Sequence, residues 1–245
     1  MTAPRVLVIV HDVDDNLNEF AVPLAEAGLY LETWDASLDF SSRPPLDELS
    51  QYSGIISLGA HNGIMDEADV EWMPYERKIV EYALESETPF FGLCFGSQIL
   101  ASVAGAQFKP SPVPELGWTE VEMKPEARQD PVFAQISGGL KGFHFHYDSY
   151  ELPQSATLLG ETNGIIEAYR VGNSAWATQF HLEVGLNQQL AWLTTYRKYF
   201  EKEGIDVAEQ MKLSHEYFQE YRRQAHQTAT AFAEQVKAFA ARTQA

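Results

Sequence analysis

The sequence predicts an α/β protein: a mostly parallel central sheet flanked by helices, with an antiparallel extension and C-terminal helices. Three patterns point there. Up to Gly105, short apolar runs rich in β-branched and aromatic residues alternate with stretches of helical period, as in parallel strands joined by packed helices. After Gly105 the runs become short, alternating and separated by turns, closer to an antiparallel sheet. From Gln188 the apolar period is helical again.

The first run, "RVLVIV" (Arg5 to Val10), reads as a strand that ends in His11, Asp12 and a polar stretch. "NEFAVPLAEAG" then has helical spacing up to Gly28, a stop signal. Strands follow at "LYLETW" (Leu29 to Trp34) and, after the break "SSRPP", at "GIISLG" (Gly54 to Gly59). The stretch "EADVEWMPYERKIVEYALESE" supports a long helix, and Pro74 suits its first turn, where a missing NH costs nothing. "PFFGLC" is a strand and "GSQILASVAG" a helix closing at Gly105. The second half offers strands in "FKPSPVPELGWTEVEM", "GFHFHYDSYELP", "ATLLGETN", "IIEAYRVG" and "AWATQFHLEV". Beyond them, Met211, His215, Phe218, Arg222, Ala225, Ala229, Phe232, Val236 and Phe239 recur at helical spacing, which predicts one or two docking helices. With no repeat or Pro/Gly/Ser linker, one domain over 1–245 is expected, with 188–245 as its helical extension.

Composition limits the function. Thirty-five acidic against 17 basic residues give a net charge of −18, which repels a nucleic-acid backbone or an anionic membrane surface. The one cysteine cannot form an internal disulfide, and no apolar run is long enough for a signal peptide or a membrane span, so the cytoplasm is expected.

That cysteine, Cys94, falls where a strand hands over to a helix, beyond the carboxyl end of a parallel strand. Glycines two residues before and after it suit a sharp nucleophile elbow, and a helix N-terminus would favour a thiolate and offer the Phe95 NH to an oxyanion. A free cysteine also fills cores, and the local pattern alone leaves both readings open. A nucleophile needs a base and a group to orient it. In "WATQFHLEV", His181 and Glu183 stand two apart in a strand-like run, hence on one face, and suit those roles. "LGAHNG" (Leu58 to Gly63) follows another strand, and its small residues let backbone amides approach a substrate oxygen, although an ordinary glycine turn has the same composition. His144, His146 and Asp148 share a strand face that would suit zinc or iron; no further ligand-spaced cluster supports a metal, and a polar strand end facing the same cleft is the expectation.

Together these residues resemble the class I glutamine amidotransferase family of the Cys-His-Glu triad type, over most of the chain. "GLCFGSQ" is similar to its Gly-x-Cys-x-Gly-x-Gln elbow, "HLE" to its His-Pro-Glu, "SLGAHNG" to its Gly-Gly-Pro oxyanion loop, "ELGWTEV" to the Gly-Trp strand of its stand-alone members, and "HFHYDSYELP" to their His-Gly-Asp segment. The nearest subgroup is that of single-domain GMP-synthase-like amidotransferases. The resemblance implies a flavodoxin-like fold and a catalytic triad of Cys94, His181 and Glu183, with an oxyanion hole from the NH groups of Ala60 and Phe95. Glutamyl binding by Gly59, Gln98, His146, Tyr147 and Asp148 is implied as well. No cofactor and no metal are expected. The implied substrate is glutamine or another γ-glutamyl amide, cleaved through a Cys94 thioester, with an ammonia-accepting synthetase subunit as a candidate partner. Ala60-His61 stands where Gly-Pro is usual, Leu182 for the usual Pro, and Tyr147 for the Gly of His-Gly-Asp; the tyrosine would narrow the pocket or change what it recognises. A γ-glutamyl peptide hydrolase that serves no partner is the alternative, and a non-catalytic binding protein on the same fold is the alternative of another class.

Overall fold

A computed structural model describes residues 3–136 and 138–243. Residues 1–2, 137 and 244–245, which the expected domain also spans, lie outside the described residues. Nine strands form one sheet: β1 (Arg5–Val10), β2 (Tyr30–Asp35), β3 (Tyr52–Ser57), β4 (Phe90–Leu93), β5 (Phe108–Met123), β6 (Leu140–Tyr150), β7 (Ala156–Thr162), β8 (Ile165–Val171) and β9 (Ala175–Thr178). Their spatial order is β2-β1-β3-β4-β9-β8-β7-β5-β6. The first five in that order are parallel, and the remaining pairings are antiparallel. The mixed α/β sheet is thus the one expected.

Alternation along β1 sorts its side chains to two faces. Val6, Val8 and Val10 face a core shared with Phe20 and Leu24 of helix α1 (Asn18–Glu26) and with Tyr221, Ala225, Ala229, Phe232 and Val236 of helix α6 (Val207–Thr243). Leu7 and Ile9 face the opposite core, with Ile79 and Val80 of α2 (Met73–Ser86) and Ile99 and Leu100 of α3 (Phe95–Val103). A third cluster joins Leu116 and Phe143 to Trp192 and Leu193 of α4 (Leu186–Thr195) and Phe200 of α5 (Arg197–Lys202).

Two readings of the sequence need correction. The C-terminal apolar stripe belongs to one continuous helix that is a layer of the core, and its first half is rotated from the expected face. Ser214 and Tyr221 are buried there while His215 and Arg222 are exposed. The strand expected through Val184 ends at Thr178; Gln179 to Val184 bend away, and His181 keeps only an isolated bridge to Phe143 of β6. The alternating pattern that suggested a strand there instead records burial from both sides. No helix among the described residues is long and apolar enough to cross a membrane.

The chain leaves β1 in one lateral direction toward β2 and in the other toward β3 and β4. In open α/β sheets ligands bind at the carboxyl ends of strands beside such a reversal, and the site lies there.

Candidate functional site

Cys94 ends β4 with φ 53° and ψ −103°, a backbone conformation that costs a non-glycine residue free energy and persists only where the surroundings over-determine it. The surroundings do so here. Its NH donates to the Thr178 carbonyl (2.9 Å) of neighbouring β9, and the Gly96 NH donates to the Leu58 carbonyl (3.0 Å) after β3. A Cβ on Gly92 would lie 2.2 Å from the Gly96 carbonyl oxygen, and one on Gly96 2.2 Å from that of Ser57, so both glycines of the elbow are demanded by backbone contact. Cys94 is buried, yet it sits on the wall of a cavity of about 390 Å³. The two readings that its local sequence left open, core thiol and cavity thiol, are therefore both true of it.

His181 enters from the bend after β9. Its Nδ1–H donates to Glu183 Oε1 (2.7 Å), and the other Glu183 oxygen accepts the Leu182 NH (2.9 Å), so the carboxylate is held by its own backbone turn. The Cys94 sulfur lies beside the imidazole and acts on it through its charge. Burial works to lower the pKa of His181, but the charges of Glu183 and Cys94 outweigh it and hold the imidazolium well above the usual histidine range. Trp192 packs edge-on against the ring, with centroids 4.9 Å apart. Leu182, where the family motif has proline, is fully buried and leaves the His181 to Glu183 contact intact.

The loop after β3 is clamped from below. Gly59 donates its NH to Asp15 Oδ2 (2.9 Å), and its carbonyl accepts from His11 Nδ1–H (2.9 Å). His11 Nε2–H donates to Glu76 Oε2 (2.7 Å), whose second oxygen accepts from the Ser57 hydroxyl (2.6 Å). Both imidazole nitrogens of His11 face pure acceptors, which describes an imidazolium. Burial opposes that charge and Glu76 outweighs it, so the His11 pKa is raised. Across a planar trans peptide the carbonyl and the next NH point in opposite directions. With the Gly59 carbonyl turned down onto His11, the Ala60 NH is turned away from it, toward the cavity that Ala60 lines. Neither the Ala60 nor the Phe95 NH is taken by a protein acceptor among the described residues.

The remaining expected site residues divide. Gly59, Ala60, Tyr147, Cys94 and His181 line the cavity, and Glu183 lies behind His181. Gln98 is buried on α3 outside the lining, with its Oε1 unpartnered. His146 is buried in a separate group, where its Nδ1–H donates to the Asp148 carbonyl (3.2 Å) and its Nε2 lies 3.4 Å from Glu115. Burial lowers its pKa to about 4 and so keeps it neutral. His144 pairs there with Glu167 (3.1 Å), and burial together with the Glu167 charge raises Glu115 to about 9. The metal-like trio seen in the sequence changes accordingly: Asp148 faces Gly63 and Asp66 instead, and Glu167 takes its place beside His144 and His146. That trio, and Asp15 with His181 and Glu183, are the described groups whose donor atoms converge within 4.8 Å and could hold a cation.

Sequence reasoning missed several participants. Asp12, Asp14 and Asp15 follow β1 and line the cavity; the polar run after "RVLVIV" was the available signal. Gln179, two residues before His181, points its Nε2 at the Cys94 sulfur (3.9 Å). Trp192 of α4, Tyr196 at the junction of α4 and α5, and Tyr199 of α5 reach the cavity, which no local motif marks.

Similarity to known proteins agrees with this geometry. A γ-glutamyl-L-1-hydroxyisopropylamide hydrolase of Pseudomonas sp. is 29% identical over 157 residues, which are 59% of this chain and 52% of the relative. A glutamine-hydrolyzing GMP synthase of Clostridium botulinum is 28% identical over 186 residues, 74% of this chain but 33% of that enzyme. The chain thus spans about half of the one relative and a third of the other. The crystal structure of a glutamine amidotransferase from Thermotoga maritima superposes with a TM-score of 0.83 at 26% identity, covering 96% of this chain and 100% of that one. Residues 14–195 match the family model "Glutamine amidotransferase class-I", and the chain belongs to that family.

Proposed function

We propose that the protein hydrolyses the γ-carboxamide of a γ-glutamyl amide through a thioester on Cys94. The observation that carries this is the strained elbow, which sets the Cys94 sulfur on a cavity wall against an imidazole held by Glu183. The sulfur attacks the carboxamide carbon, and negative charge moves to the carbonyl oxygen, where the NH groups of Ala60 and Phe95 receive it. His181 gives its proton to the amide nitrogen, the C–N bond breaks, and ammonia or an amine departs. Water then attacks the thioester and gives a proton to His181, and glutamate leaves as the thiol is restored. Gln98 remains a candidate for the glutamyl portion; His146 and Asp148 would act only as supports of the strand that presents Tyr147.

The Pseudomonas relative is named for an amide whose leaving group is larger than ammonia, which favours a substituted amide. Delivery of ammonia to a synthetase partner is the second reading, favoured by the similarity to GMP synthase. Chemistry through one unpaired thiol suits the reducing cytoplasm.

Glutamate release from glutamine and from a set of γ-glutamyl alkylamides, with wild type and Cys94→Ser, is the test. The expected result is release that needs Cys94 and is faster on the alkylamides. No Cys94-dependent release from any of them would overturn the proposal, and release only from glutamine would move the reading to an ammonia supplier.

A further inference from the structure

For hydrolysis as proposed above, the departing nitrogen must lie beside His181, which protonates it. Whatever that nitrogen carries therefore extends toward the neighbours of His181 on the cavity wall. The first is Trp192, whose indole NH donates to the Asp14 carbonyl (3.1 Å). The next is Tyr196, whose hydroxyl donates to Asp14 Oδ2 (2.7 Å). Phe145 links the two, with ring centroids 6.2 Å from Trp192 and 5.3 Å from Tyr196. The path thus runs among aromatic rings and ends at a carboxylate.

The charge of that path is one-sided. Among the described residues Asp12, Asp14 and Asp15 line the cavity and no lysine or arginine does, and His61 and His181 are the titratable nitrogens on its wall. Asp14 Oδ1 lies 3.3 Å from His61 Nε2, which is also 3.1 Å from the Tyr196 hydroxyl, so this carboxylate already faces the His61 ring. Asp15 is about nineteen-twentieths buried, and its Oδ1 lacks a hydrogen-bond partner. A wall of carboxylates with one buried, unpartnered oxygen on Asp15, set among aromatic rings, suits an ammonium group, which meets the oxygens with its NH donors.

We propose that the leaving group of the substrate carries a second, protonated amine, so that the substrate class is the γ-glutamyl amides of short aliphatic diamines, with Asp14 and the Trp192 and Tyr196 rings as the ammonium subsite. Hydrolysis consumes one water, breaks the amide C–N bond, and releases glutamate and a diamine that leaves with the proton from His181. The substrate that this subsite needs is the product of a ligase-type step joining the γ-carboxyl of glutamate to one end of a diamine.

This proposal rests on the γ-glutamyl hydrolase reading, and the two fail separately. kcat/KM is measured for γ-glutamyl-1,4-diaminobutane, its uncharged isostere γ-glutamyl-pentylamide, and the anionic γ-glutamyl-4-aminobutyrate. At least a tenfold preference for the diamine amide over the uncharged one is expected, with the anionic amide slowest. The preference should shrink as salt is raised from about 20 mM to about 500 mM. In Asp14→Asn the ratio of charged to uncharged substrate should fall by at least tenfold relative to wild type, while in Asp12→Asn it falls less. Equal rates on the charged and uncharged amides, or a faster anionic one, would overturn the subsite and leave the hydrolase reading standing. No Cys94-dependent release from any amide would overturn both.

Discussion

Two buried histidine–glutamate pairs meet at Gly59, and they differ in what the histidine has left to offer. His11 gives both ring nitrogens to protein acceptors, the Gly59 carbonyl and Glu76. His181 gives one nitrogen to Glu183 and turns the rest of its ring to a sulfur on a cavity wall. In both, a carboxylate offsets the penalty of burying an imidazolium. The residue types are alike, so they do not distinguish a catalytic pair from a supporting one. The distinction is whether a nitrogen faces a reactive group or a filled hydrogen bond. On this argument His181 moves a proton and His11 is a positioning residue that holds the Ala60 NH in place.

The largest effect should come from the catalytic side. Glu183→Gln keeps an acceptor for His181 Nδ1–H, but it brings an amide NH₂ against the Leu182 NH, which Glu183 Oε2 now accepts, and it removes the charge that sustains the imidazolium. Loss of about 10³- to 10⁴-fold in kcat is expected for Glu183→Gln and for His181→Asn, by analogy with triads whose orienting carboxylate is neutralised. Glutamate release under saturating substrate measures it. Activity within tenfold of wild type in either variant would remove the pair from the chemistry.

On the supporting side the loss should be smaller and of a different form. His11→Ala frees the Gly59 carbonyl, so the Ala60 NH is no longer held in one direction, while Cys94, His181 and Glu183 stay as they are. Complete removal of an oxyanion donor costs about 10²- to 10³-fold in kcat. A loosened donor should therefore cost about 10- to 100-fold, with KM little changed and the pH profile of kcat unshifted. His11→Gln, which can still donate to Gly59, should recover part of the loss. If His11→Ala displaced the pH profile as His181→Asn does, the two pairs would not have the separate roles assigned to them.

The sequence announced one of these pairs and hid the other, for a physical reason. His181 and Glu183 are two residues apart, and Cys94 stands between glycines that its elbow requires, so chemistry and spacing coincide locally. His11 follows β1 and Glu76 lies in the first turn of α2, and only the parallel packing of β1 beside β3 brings them under Gly59. The same holds for the aromatic wall: Trp192 sits on α4 and Tyr196 just past its end, in an amphipathic pattern that signals burial without saying against what. The parallel half of the sheet was readable because β1, β3 and β4 are compact apolar runs bounded by turns. The segment at His181 was misread as strand because burial on both sides imitates the strand pattern. Asp148 was misplaced with the histidines for a related reason: alternation assigns a face, but the strand twists and the side chain at its far end reaches Gly63 instead.

Asp15 supplies the finest test of the contrast, since it touches both pairs. It accepts the Gly59 NH, and its carboxyl is raised to about 7, first by burial and then by the charge of Glu183, against the opposing pull of His181 and His11. The His11–Glu76 pair is balanced, whereas the His181 side holds Glu183, Asp15 and the Cys94 sulfur against one imidazolium. An unfolded aspartate has a pKa near 3.9, so between about pH 4 and about pH 7 the folded protein keeps a proton that the unfolded chain has released. Stability from this group must therefore fall as pH rises through that window. Asp15→Asn retains an acceptor for the Gly59 NH and has no proton to lose. Thermal unfolding should show the variant close to wild type near pH 5 and more stable near pH 8. A gap between the two melting curves that is the same at both pH values would mean that the excess of negative charge beside His181 is relieved some other way.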